Sequence, residues 1–108
     1  MIRVTIDRNS RGQICGFTAQ NHGAGIVCSA VSILVINTIN SIETFTEEAM
    51  SVDMPPDGKN GYIQLRLPGI EAGGEGKEAD LLLSSMLLGL NQIKEQYPSQ
   101  INIIDPDN

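Results

Sequence analysis

His22 and Cys28 flank the short segment Gly23-Ala24-Gly25-Ile26-Val27, and an imidazole beside a thiol is the minimal equipment of a cysteine nucleophile. A thiol attacks as its thiolate, so the sulfur needs a proton acceptor and a local field that favours the anion. A helix that begins at Cys28 would supply that field through unpaired backbone amides and the positive end of its dipole. The same amides could receive the oxyanion formed when a peptide carbonyl is attacked. His22 would take the thiol proton and later deliver it to the leaving amine. The glycines open loop conformations that other residues cannot adopt. A plainer description fits the same residues: a loop histidine, and a small cysteine packed in a core. Spacing alone favours the plainer description. Ser32, one helical turn beyond Cys28, would either touch the site or fill polar space within the helix.

Other candidates carry less chemistry. Cys15, His22 and Cys28 lack the close-paired spacing and the fourth ligand of a zinc site, so no metal is expected and Cys15 reads as a small strand residue. Gly73-Gly74-Glu75-Gly76 lacks the Gly-Lys-Ser/Thr ending of a phosphate loop, and no cofactor is expected. Asp53, Asp57, Asp105 and Asp107 read as turn or tail acids without chemistry.

The elements that would position the pair can be read from periodicity. Ile2, Val4 and Ile6 alternate with polar residues as in a half-buried strand, and Asn9-Ser10-Arg11-Gly12 supplies a turn. Residues 13–19 return as a second strand, with Ile14, Gly16 and Thr18 expected on one face. From Ser29 onward, Val31, Leu34, Val35, Ile39, Ile42 and Phe45 recur at helical spacing opposite a polar side. Residues 51–54 and 61–67 read as a second antiparallel hairpin broken by Pro55-Pro56-Asp57-Gly58, with Ile63, Leu65 and Leu67 on its dry face. Residues 68–76 read as a mobile glycine-rich connection, and residues 77–97 as a leucine-rich helix stopped by Pro98. Ile101, Ile103 and Ile104 suit a short terminal strand. The expected fold is α+β, a mainly antiparallel sheet with two helices packed against it in the order ββαββαβ, forming one domain over residues 1–108. Apolar residues around much of the second helix, from Leu81 to Leu90, suggest either a dimer interface or deep burial.

Composition narrows the classes further. The 108 residues are 41% hydrophobic and 19% charged, near the average for globular domains. A net charge of −6 opposes direct binding to nucleic acid and suits a basic peptide, or solubility alone. The longest strongly apolar run, residues 29–36, is shorter than the ~20 residues that cross a bilayer, so no membrane segment is expected. Two cysteines make no disulfide framework and suit a reducing cytoplasm.

The first strand pair, the His22-loop-Cys28 element, the Val27-Cys28-Ser29-Ala30-Val31-Ser32 stretch and the second leucine-rich helix together resemble the Prp family of ribosomal-processing cysteine proteases. The likeness spans nearly the whole chain. It implies a cytoplasmic cysteine endopeptidase that removes an N-terminal extension from a large-subunit ribosomal protein, working as a homodimer. It also implies Cys28 as nucleophile, His22 as general base and acid, and Ser32 in a supporting role. The chain departs from the common family form at three places: Asn21 stands where glycine usually precedes the histidine, the His22–Cys28 loop is short, and Gly25 stands where an aspartate is common. Loss of that acid leaves a Cys-His dyad. The competing class is a noncatalytic ribosome-assembly or peptide-binding module of the same fold.

Overall fold

The computed structural model describes residues 1–21, 25–55 and 61–107. β1 (Ile2–Arg8) and β2 (Ile14–Gln20) form the expected hairpin, with Val4 opposite Ala19 and Ile6 opposite Phe17. Asn9 closes the turn: its Oδ1 accepts the backbone N–H groups of Arg11 and Gln13 at 2.9 and 3.0 Å. Such local bonding explains why asparagine suits this position.

The facing of β2 differs from strict alternation. Asp7 pairs with Gly16 and Arg8 with Ile14, so Cys15 is the extra residue of a β-bulge. One inserted residue exchanges the two faces. Ile14 therefore joins Phe17 and Ala19 in the core, while Gly16 and Thr18 do not share its face.

α1 (Gly25–Phe45) starts four residues before Ser29. Val27, Val31, Val35, Thr38, Ile39 and Ile42 form its buried stripe, and the buried Thr38 hydroxyl donates to the Leu34 carbonyl at 2.8 Å. Phe45, expected on the packed side, is 74% exposed because the helix ends there. The chain turns away at Thr46, whose N–H and hydroxyl both donate to the Ile42 carbonyl. With 21 residues and a mean hydropathy of 1.8 over its most apolar window, α1 is long and apolar enough to span a bilayer by length and composition. The apolar-run estimate missed this, since Asn37 and Asn40 interrupt the run. The stripe just named lies in the protein core instead.

β3 (Ser51–Asp53) pairs antiparallel with β4 (Ile63–Arg66), and Ile63, Leu65 and Leu67 are buried as their alternation requires. The Pro55–Gly58 break falls largely outside the described residues. The expected mobile connection instead contains a short helix, α2 (Pro68–Glu71), with Ile70 fully buried. Proline suits the first position of a helix, and one large aliphatic side chain in the core ties down the glycines around it.

α3 (Lys77–Gln96) buries Ala79, Leu83, Met86 and Leu90. Leu81 and Leu88 are exposed, so the helix is not buried all round. α3 lies alongside α1, with Gly89 close against Leu34. β5 (Ile101–Ile104) closes the sheet, parallel to β1, in the order β3-β4-β2-β1-β5. The two long helices cover one face of this sheet, and the polar residues of the other, among them Arg3, Asp7 and Arg66, face outward.

Candidate active site

Cys28 is the fourth residue of α1 and half-buried. Its turn is fixed to the sheet by Val27 and Val31, both buried to within a few per cent, so the sulfur's position is set by core packing. The N–H groups of the three residues before it have no partner within the helix and point out of its start, where negative charge is favoured.

A small cavity of about 20 Å³ lies beside Cys28, room for about one water molecule. Ile2, Ala19, Val31, Val35 and Ile63 form its apolar walls, and Asn21, Ser32 and Gly61 complete the lining. The structure therefore brings together Cys28 and Ser32, from successive turns of α1, with the ends of β1, β2 and β4. His22 lies outside the described residues.

The sequence reading passed over Asn21 and Gly61 as parts of this site. Both have positive φ, +72° and +57°, and Gly25 at the head of α1 has φ +40°. Left-handed backbone favours glycine, and asparagine is among the few other residues that tolerate it. Asn21 thus meets the same backbone demand as the glycine common at that position, and residue type was the available signal.

Cys15 sits elsewhere. It occupies the bulge near the opposite end of β2, about 20 Å of strand from Asn21. Burial pushes its thiol pKa up, and the carboxylates of Glu71 and Asp7 push it further in the same direction. Cys15 and Cys28 are not joined as a disulfide, and Cys15 is not among the described residues that line the cavity beside Cys28.

The family model for the cysteine protease Prp matches residues 1–102. The chain belongs to the Prp family. The ribosomal processing cysteine protease Prp of Staphylococcus aureus is 28% identical over 109 aligned positions, which cover 95% of this chain and 97% of that protein. The Prp of Bacillus subtilis is 25% identical, with 95% and 96% covered. A crystal structure of Staphylococcus aureus Prp with a covalently linked product peptide superposes at a TM-score of 0.86 and 28% identity, covering 97% of this chain and 99% of that one. The structure of that protease with a substrate peptide gives 0.84 and 25% identity. Membership in Prp makes the chain an enzyme, a hydrolase of the cysteine protease class, and the α+β architecture read from the sequence is the family's.

Proposed function

We propose that this Prp homologue is an endopeptidase that removes an N-terminal extension from a large-subunit ribosomal protein, with Cys28 as nucleophile and His22 as its base and acid. The observation that carries the reading is the place of Cys28: half-buried in the first turn of α1, beside a cavity and next to amides that have no partner within the helix. The thiolate attacks the scissile carbonyl carbon and the carbonyl oxygen takes up the negative charge. Amides at the start of α1 stabilise that oxyanion. The tetrahedral adduct collapses to a thioester as the C–N bond breaks, and the imidazolium of His22 gives its proton to the departing amine. His22 then takes a proton from water, whose oxygen attacks the thioester and releases the carboxylic acid and the thiol.

A thioester-forming cysteine agrees with the covalently linked product peptide held by the Staphylococcus aureus relative. The net charge of −6 suits the basic tail of a ribosomal protein and disfavours direct nucleic-acid contact. Ser32, on the same cavity one turn away, has a supporting role. Two cysteines held as thiols suit the cytoplasm. Leu81, Leu88 and Ile33, each at least 60% exposed on the two long helices, supply apolar surface for a homodimer.

The test is incubation with the extended ribosomal protein, beside Cys28→Ala and His22→Ala, followed by fragment mass. The wild type yields two fragments and both variants leave the substrate whole. Intact substrate in all three tubes would instead indicate a binding module. Equal cutting by Cys28→Ala would remove the nucleophile assignment.

A further inference from the structure

We propose that the free edge of β3 is a docking strand for the substrate: a segment close to the scissile bond adds to it as an extended strand and lays apolar side chains on Val52 and Met54. This rests on the reading of Cys28 as the nucleophile of a peptidase. In the order β3-β4-β2-β1-β5, β3 stands at the end of the sheet, so among the described residues no strand pairs with its outer side. All three of its residues are exposed. Val52 pairs with Leu65 and so stands on the helix side of the sheet, where Leu65 is fully buried and Val52 is 40% exposed. The pleat returns to that side at Met54, which is 51% exposed.

This apolar strip leads to the site. β3 and β4 run antiparallel with Asp53 opposite Gln64, so Met54 comes level with Ile63. Ile63 is a wall of the cavity beside Cys28. A strand added to β3 lies two strand spacings, about 10 Å, from β4, and about three extended residues cover that distance. The paired segment therefore begins about three residues from the scissile bond. Peptides add to free sheet edges in this way, with main-chain hydrogen bonds giving affinity and alternate side chains giving specificity. Ser51 and Asp53 stand on the opposite face, level with Arg66 and Gln64. The segment that fits has aliphatic or aromatic side chains on one side and polar or basic ones on the other. A three-residue length and the charge of Asp53 oppose pairing with the same edge of a second copy. The other sheet edge supplies a control: Ile104 of β5 is 45% exposed, but it lies level with Thr5, three residues along β1 from Ile2 of the cavity wall.

Two measurements test the proposal. In the first, amide exchange of Cys28→Ala is followed with and without the extended ribosomal protein; binding slows exchange at residues 51–54 and leaves residues 101–104 unchanged. In the second, Val52→Thr, Met54→Gln, the double variant and Ile104→Thr are compared with the wild type in cleavage of the same protein, with melting curves to verify folding. Each single β3 variant raises KM about 3- to 10-fold at nearly constant kcat, the double variant raises it about 10- to 100-fold, and Ile104→Thr stays within about two-fold of the wild type. Wild-type KM in the folded double variant, or exchange at residues 51–54 that substrate does not slow, would overturn the proposal. So would an equal rise in KM for Ile104→Thr. Slowed exchange at residues 51–54 that appears with protein concentration and without substrate would assign the edge to a second copy and overturn it as well. Substrate left whole by the wild type is a different failure: it removes the peptidase reading, and this proposal with it.

Discussion

Arg8 and Asp105, 97 residues apart in sequence, meet in a two-pronged ion pair, with Nε donating to Oδ1 at 2.8 Å and Nη2 to Oδ2 at 2.9 Å. The pair joins the end of β1 to the residue just after β5, and the remaining Arg8 nitrogen donates to the Gly12 carbonyl at 2.7 Å. Only 5% of the Asp105 side chain and 16% of the Arg8 side chain is exposed, so solvent screens the pair weakly. Asp105→Ala leaves this arginine without its two-pronged partner and should cost about 2 kcal/mol of unfolding free energy at pH 7. Hydrogen bonding from Arg8 lowers the Asp105 pKa. A lowered carboxylate pKa gives stability that is fully present above the unfolded value of about 4 and is lost as pH falls through the folded value. Urea titrations should therefore show a steeper acid loss in the wild type than in the variant. Parallel acid limbs would refute the assignment.

Gly16 has ordinary backbone angles, yet it must be glycine for a packing reason. A Cβ there would run into the Leu65 carbonyl oxygen on β4, which is backbone and cannot rotate away. Gly16→Ala must part β2 from β4 and should cost about 1–3 kcal/mol. Gly12 offers the contrast, since it has φ +82° with no atom within 4 Å of its added Cβ. Gly12→Ala carries only backbone strain, about 1–2 kcal/mol. Amide exchange separates the two: Gly16→Ala should loosen the β2–β4 hydrogen bonds and Gly12→Ala should not. Equal protection of β4 in both variants would rule out the collision.

These details mark where the sequence stops being legible. Ile2, Val4, Ile6 and Ile63, Leu65, Leu67 could be assigned to a buried face because burial repeats with the pleat. The face of β2 could not, since alternation carries no mark of the extra residue at Cys15. Ile70 was hidden by composition, a single buried side chain among glycines. At the site, helical periodicity from Ser29 onward placed Cys28 at a helix start, and α1 begins three residues before it, at Gly25. The turn at Asn21 left no periodic trace, because a left-handed residue is a property of one position.

The two cysteines should differ in reactivity. Cys15 is 4% exposed, and its pKa is raised by burial and by Glu71 and Asp7, all of which disfavour the thiolate. Cys28 is half-buried at a helix start, where the anion is favoured. Iodoacetamide at pH 7 with peptide mapping should label Cys28 and spare Cys15 until denaturant is added. Labelling of Cys15 at a comparable rate in the folded protein would contradict this placement.

Asp7 should show a pH response opposite in sign to that of Asp105. It stands on the outward face of β1, and partial desolvation by its neighbours on the sheet raises its pKa, with Glu71 adding repulsion that Arg66 partly offsets. A raised folded-state pKa means that the folded chain holds this proton more tightly than the unfolded chain does. Stability then falls as pH rises from the unfolded value of about 4 through the raised folded value. At neutral pH the charged carboxylate is a liability, and Asp7→Asn should raise the melting temperature, by an amount kept small because the residue is exposed. Below pH 4 the two proteins should converge. Asp7 and Cys15 also act on each other, since the carboxylate contributes to the raised thiol pKa. Asp7→Asn should therefore speed alkylation of Cys15 in the folded protein at alkaline pH, and a variant with unchanged neutral-pH stability and no such change would place the repulsion elsewhere.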